Sequence, residues 1–262
     1  MNPVQWTRAQ YWRAREVWPE ISRELLPGNL LLRARAHLPK RASDYFELDG
    51  IRLPLGPNIS PRVTYEILTA RYEIAERRIL AACLEPSDRV LEIGAGIGLL
   101  STFCAQRIGS DRVIAFEANP ALIAVIRRTY ALNGLNPDLR NAILGAGGGT
   151  TAFYVNRDFW SSSTVRRSAS DKLVEVPNAD FAETVRSFRP TFLVVDIEGG
   201  EFDLLMDASL DGIQKIAIEL HERVIGPEKT ETVRQRIRGA GFRVDEGLSS
   251  GQEQLLYRRV TH

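Results

Sequence analysis

The chain is poor in cysteine: Cys83 and Cys104 are its only two among 262 residues. Two cysteines in helix-like segments support neither a disulfide framework nor a metal-binding pattern. They are expected to be buried apolar thiols in a reducing compartment. Long apolar runs are lacking too. No stretch approaches the ~18 residues that a membrane-spanning helix needs. The opening MNPVQWTRAQYWR has no apolar core of the kind a secretory signal carries, so a cytoplasmic location is expected. Net charge is nearly absent, with 34 basic residues against 33 acidic ones. That balance argues against a nucleic-acid partner bound through bulk charge and leaves room only for a local patch. Internal repeats and low-complexity tracts are also missing.

What is present fits a soluble globular chain, 44% hydrophobic and 26% charged. The length suits one large α/β domain with an extension, able to bury its core without covalent staples. The first 60 residues differ from the rest. Between Met1 and Ala42 there are eight basic residues against three acidic ones, and Trp6, Trp12 and Trp18 fall here. Tyr11, Ala14, Trp18, Ile21 and Leu25 recur at helical spacing, with Pro19 better placed to open a second helix than to sit inside the first. An N-terminal helical extension is expected, packed on the main domain or on a second copy of the chain. A substrate lid and a membrane-touching surface remain open as alternatives. YFELDGIRLPLG, Tyr45 to Gly56, reads as a hairpin turning at Asp49-Gly50. The division is therefore 1–60 for the extension and hairpin and 61–262 for the main domain.

From Arg89 the pattern alternates. Strand-like runs fall at 89–93, 112–116, 139–144, 192–197 and 215–220, and helix-like runs at 99–107, 120–133, about 179–188, 201–206 and 229–240. Several strands are apolar throughout, as strands covered on both faces should be. The alternation implies an α/β fold with a doubly wound, Rossmann-like parallel sheet, which binds ligands beyond the carboxyl ends of its strands.

VLEIGAGIGLL, Val90 to Leu100, places Gly94, Gly96 and Gly98 just after the first of these strands, with Glu92 ahead of them. Glycine permits positive φ and close approach of a ligand, and the following helix offers free N–H groups. A dinucleotide fingerprint would need a third glycine at position 99, which is Leu99. The next strand, RVIAFEANP, ends in Glu117, 19 residues beyond Gly98, where a carboxylate can accept hydrogen bonds from a ribose diol. This combination resembles the S-adenosylmethionine-dependent methyltransferases of the seven-stranded-sheet class. The resemblance implies a mostly parallel seven-stranded sheet and S-adenosyl-L-methionine as cofactor. It implies that Glu92 and the loop Gly94, Ala95, Gly96 and Gly98 support the methionine part, and that Glu117, with Ala118 beside it, meets the ribose. Asn141 and Ala142, in RNAIL at the end of the third strand, would lie near the adenine.

A second signature is FLVVDIEGGEFDLL, in which Asp196, Glu198 and Glu201 surround Gly199-Gly200 at the end of the fourth strand. IAIELHE places Glu219 and His221 at the end of the fifth. The D-x-E-G-x-E string followed by E-x-H resembles the FkbM family of methyltransferases, whose members mostly methylate hydroxyl oxygens of sugars, glycan-linked groups or polyketide-type natural products. A small-molecule or glycan hydroxyl acceptor is therefore expected. Asp196, also near the reacting end of the cofactor, and His221 are the candidate proton acceptors, with Glu198 beside them. Glu201 is equally readable as a carboxylate at a helix N-terminus. No metal site is assigned, although a pair such as Asp196 and Glu198 could hold a divalent ion. In YVNRDFWSSSTVRRS, Phe159 and Trp160 could stack on a sugar, and Arg166 and Arg167 could pair with an anionic group of the acceptor. An amine or carboxylate acceptor, and a non-catalytic cofactor-binding protein of the same fold, are the alternatives.

Overall fold

The computed structural model describes residues 45–54, 59, 61–155, 171–206 and 208–260. The expected N-terminal helices and the acceptor candidates Phe159, Trp160, Arg166 and Arg167 lie outside the described residues. The chain divides into two compact units, Met1–Ile74 and Ala75–His262. In the first, β1 (Tyr45–Leu48) and β2 (Ile51–Pro54) form an antiparallel hairpin, as expected. Its turn falls at Asp49-Gly50, both at positive φ, the geometry that favours Asp-Gly there. The hairpin is followed by α1 (Pro61–Leu68).

After α2 (Ile74–Cys83), the second unit runs β3 (Val90–Ile93), α3 (Leu99–Ile108), β4 (Val113–Phe116), α4 (Pro120–Leu132) and β5 (Asp138–Arg140). It continues with β6 (Ile143–Gly145), β7 (Thr150–Val155), β8 (Lys172–Asp180), α5 (Phe181–Phe188), β9 (Phe192–Val195) and α6 (Glu201–Met206). Last come β10 (Lys215–Glu219), α7 (Glu222–Ile225), α8 (Pro227–Gly239), β11 (Phe242–Val244) and β12 (Gln254–Arg259). Helices start where their caps say they should. Asp180 accepts from the Glu183 amide at 2.8 Å, and Asn119 accepts from the Ala121 amide at 3.0 Å with Pro120 next.

The main sheet has seven strands in the order β11-β12-β10-β9-β3-β4-β5, parallel except for β12, which runs antiparallel to both neighbours. Strands β3, β4 and β9 are buried along their whole length, and Leu91, Ile93, Phe116, Leu193, Val195 and Ile216 share one core cluster. Register decides where the chemistry falls. Ile93 pairs with both Phe116 and Val195, and Val195 with Ile218, so four parallel strands end on one level. The segments that follow them, at 94–98, 117–119, 196–200 and 219–221, therefore stand side by side on one rim. From β3 the chain winds outward to β4 and β5, then returns to the other side of β3 for β9 and β10, so the rim contains the switch point where such sheets bind ligands.

The expected third strand at 139–144 is two strands. Residues 138–140 stay in the main sheet, whereas 143–145 pair in parallel with β8 in a separate three-stranded sheet, β6-β8-β7. The break has a cause: the Asn141 side-chain amide donates to the carbonyls of Glu117 and Ala118, at 2.7 and 3.1 Å, and turns the chain out of the ladder. At the opposite rim, Lys215 Nζ is buried against Asp88 Oδ2 at 2.6 Å and the Cys83 carbonyl at 2.8 Å. Asp88 Oδ1 also accepts from Thr191 Oγ1 at 2.8 Å, so the starts of β3, β9 and β10 share one polar knot. Cys83 and Cys104 are free and buried, as expected; burial pushes the Cys83 thiol up to about 11 and that of Cys104 well above its usual value.

Candidate active site

The loop after β3 holds Gly94, Gly96 and Gly98 at φ +91°, +56° and +80°. A Cβ on Gly94 would stand 1.7 Å from the Asp196 carbonyl oxygen, and one on Gly98 would stand 2.8 Å from Ile126 Cγ2 of α4. The protein's own atoms thus fill the space beside these two glycines, and the bareness of the loop is first a condition for closing the rim. The Gly96 amide points elsewhere, donating to Glu117 Oε2 at 2.9 Å. Glu117 Oε1 accepts from the Asn119 amide at 2.7 Å. The carboxylate of Glu117, 7% exposed, therefore braces the glycine loop while keeping lone pairs for a ligand. Burial pushes its pKa up to about 7, against the opposing pull of the Asn119, Gly96 and Ala95 amides.

Glu92 is buried within β3, and burial raises its pKa to about 8. Its hydrogen-bonding neighbour Ser101 is held by the Tyr130 hydroxyl at 2.9 Å, while Glu92 Oε2 is buried without a partner. Asn141 reaches back to the Glu117 and Ala118 carbonyls, so the third strand end is tied to the second. The glycines, Ala95, Glu117, Ala118, Asn141 and the adjoining Ala142 lie on the rim segments after β3, β4 and β5, and Glu92 lies within β3 one residue before its end.

The segment after β9 is strained. Glu198 takes φ +52°, rare for a residue with a Cβ, and Gly199 takes φ +110°, where a Cβ would strike Val224 Cγ1 at 2.5 Å. This double left-handed turn gathers a cluster around His221. Its Nδ1 donates to Glu201 Oε1 at 2.6 Å. Its Nε2 lies 3.5 Å from Glu198 Oε1, 3.7 Å from Asp196 Oδ1 and 3.9 Å from Glu219 Oε1. Glu201 is completely buried and also accepts from the Gly199 amide at 3.0 Å, so it opens α6 and anchors the histidine at once. Burial alone would lower the His221 pKa; hydrogen bonds to Glu198 and Glu201 and the Asp196 charge outweigh it and push it up to about 11. Burial, then the charges of Glu219 and Glu198, hold the Asp196 carboxyl well above the usual range. Burial followed by the Glu76 charge raises Glu219 to about 7.

Three participants have no role in the chemistry on sequence alone. Glu201 reads as a helix-opening acid, and Glu219 is visible in the E-x-H string but not as a neighbour of Asp196. Glu76, on α2, is buried, and its pKa is raised by that burial, with the His221 charge opposing. Only its helical spacing among apolar residues marks it in the sequence.

A parallel rim with a braced glycine turn, a ribose-type carboxylate and partnerless buried oxygens on Glu92 and Asp196 fits a ligand that carries positive charge beside a nucleoside. The residues suit S-adenosyl-L-methionine, and with the seven-stranded order they define the S-adenosylmethionine-dependent methyltransferase class. Within that class the chain belongs to the FkbM methyltransferase family: the family's domain matches residues 92–244. The chain is 49% identical over 55 residues to a probable ribosomal RNA small subunit methyltransferase A of Methanosarcina acetivorans, covering 21% of this chain and 20% of that protein. It is 31% identical over 93 residues to a putative protein N5-glutamine methyltransferase of Methanocaldococcus jannaschii, covering 34% and 41% respectively. The chain thus spans about a fifth to two fifths of these curated relatives. A methyltransferase from Pyrococcus furiosus matches in structure at 14% identity and a TM-score of 0.46, covering 82% of this chain and 91% of that one. Among the described residues no helix is long and apolar enough to cross a membrane.

Proposed function

We propose that the protein is an O-methyltransferase acting on a hydroxyl of a sugar, glycan-linked or natural-product acceptor. The observation that carries this reading is the cluster of Asp196, Glu198, Glu201 and Glu219 around His221, set on the same rim as the glycine loop. Bound S-adenosyl-L-methionine supplies an electrophilic methyl group with a good leaving group already attached. Glu92 and the loop from Gly94 to Gly98 would hold its methionine end, Glu117 its ribose, and Asn141 and Ala142 the neighbourhood of its base. What remains for the chain is to align the acceptor and receive its proton. A neutral amine arrives with a lone pair ready, whereas a hydroxyl needs its proton taken as it reacts. Of the two candidate acceptors, Asp196, with Glu198 beside it, would take it; His221, its pKa pushed up to about 11, already carries its proton at neutral pH and, held by Glu201, orients them instead. The same cluster opposes a phosphate-rich backbone by like-charge repulsion, so we favour a neutral hydroxyl acceptor over RNA.

The test is methyl labelling. The protein and S-adenosyl-[methyl-³H]methionine are incubated with small-molecule, glycan, protein and RNA fractions of a cell extract. We expect label in the small-molecule or glycan fraction, stable to mild alkali as a methyl ether is. Label released as methanol would indicate a carboxylate acceptor, and label lost on ribonuclease treatment would indicate RNA; either result refutes the hydroxyl assignment.

A further inference from the structure

We propose that Asp196, Glu219 and His221 form a binding site for one divalent metal ion, of the Mn²⁺ type, within this rim. The inference rests on the methyl-transfer reading above and assigns that site an additional component. The three side chains each offer a donor atom, and these atoms lie within 4.8 Å of one another. His221 Nε2 stands 3.7 Å from Asp196 Oδ1 and 3.9 Å from Glu219 Oε1. Donor atoms bound about 2.1 Å from one ion are themselves roughly 3 to 4 Å apart, so both distances from the imidazole are already those of a coordination shell.

Three further observations point to a cation. The imidazole is oriented from behind: Glu201, with no exposure, takes Nδ1 at 2.6 Å and leaves Nε2 turned toward the carboxylates. That is the arrangement by which an outer carboxylate fixes a metal-binding histidine. One donor atom of the triad, Asp196 Oδ1, is buried with no hydrogen-bond partner. A buried polar atom left in that state is costly unless something binds it. Carboxylates also crowd the histidine: Glu201 Oε1 lies 2.6 Å from Nδ1, and Glu198, Asp196 and Glu219 lie 3.5–3.9 Å from Nε2. Two carboxylates and an imidazole, with no thiolate among them, suit Mn²⁺ better than a soft metal. Such an ion would hold the acceptor oxygen and favour loss of its proton, the O–H bond breaking and the proton passing to Glu198 as Asp196 is taken up by the ion.

The experiment uses the full chain, stripped with EDTA and dialysed, and Mn²⁺ alone as the probe. Loss of the free-ion EPR signal should report one bound equivalent. Asp196→Asn and Glu219→Gln should each weaken binding at least tenfold, and Glu201→Gln, a positioning change, by about ten- to a hundredfold. Pulsed EPR on the unaltered protein provides a readout that needs no variant: a directly bound imidazole must give ¹⁴N modulation. Failure to retain Mn²⁺, absent ¹⁴N modulation, or unchanged binding in folded variants would each overturn the site. Titration of the stripped protein with S-adenosylhomocysteine keeps the two readings apart. Cofactor product bound without Mn²⁺ retention removes the metal and leaves the methyltransferase standing.

Discussion

Removing the Glu117 carboxylate is the most informative perturbation of the cofactor half of the site. The side chain is 7% exposed and its two oxygens accept the Gly96 and Asn119 amides at 2.9 and 2.7 Å. Two opposing effects set its worth to the fold. Charge-assisted bonds of this kind contribute about 1.5–3 kcal/mol each. Against them stands burial, which outweighs them: with the bonds included, the pKa still rises from 4.5 to about 7. The two effects largely offset each other, and Glu117→Ala should lose only about 1–2 kcal/mol of stability. Ligand affinity has no such cancellation. Two ribose hydroxyls lose an ionic acceptor, so S-adenosylhomocysteine should bind about 1–3 kcal/mol more weakly, five- to 150-fold in Kd. The pKa adds a signature. Below about pH 7 the carboxyl is protonated, so the parent protein should bind more weakly at pH 6 than at pH 8, by up to about tenfold, while Glu117→Gln should lose this part of the pH dependence. Calorimetric titration at pH 6, 7 and 8, with melting curves alongside, measures both quantities. Binding of Glu117→Ala within twofold of the parent would refute the ribose assignment.

Folding raises the pKa of Glu92 to about 8 as well as that of Glu117 to about 7. Their contribution to stability is thus present below pH 4.5 and lost as pH rises through 7 to 8; Glu117→Gln should make the decline in apoprotein Tm across that range shallower. Gly94→Ala should destabilise by several kcal/mol in urea, because its Cβ would overlap the Asp196 carbonyl; a normal denaturation midpoint would show that the rim can open there. Asp88→Ala should cost about 3–5 kcal/mol by leaving the buried Lys215 ammonium only the Cys83 carbonyl and the largely exposed Glu85 carboxylate 3.7 Å away, with little change in S-adenosylhomocysteine affinity, since it lies at the far rim. Asp196→Asn and His221→Ala should bind S-adenosylhomocysteine yet slow transfer; normal turnover in both would remove them from the chemistry.

The central strands were legible because burial on both faces leaves a plain apolar run, as in VLEI, VIAF and FLVV. The helix starts at Asn119-Pro120 and Asp180 were legible through their capping chemistry. The split of the third strand was not, because it depends on one side chain, Asn141, bonding to carbonyls 23 and 24 residues earlier. β7 and β8 escaped because their exposed residues carry no clean alternation. The acid motif after β9 was visible as a string, but its convergence on His221 with Glu219 and Glu76 depends on sheet register and on a helix packed from elsewhere in the chain. The glycines were legible as a turn, yet two of them are required by Asp196 and Ile126 rather than by a ligand, and only coordinates show which atoms fill the space beside a missing Cβ.

The knot of Lys215, Asp88 and Thr191 draws together the starts of three strands, two of which carry the acids around His221 at their opposite ends. Rigidity and reactivity are thereby kept at opposite poles of the sheet. Directed evolution for heat tolerance should accordingly find its gains around the knot. Changes that relieve repulsion at the acidic pole would harden the protein while dulling it.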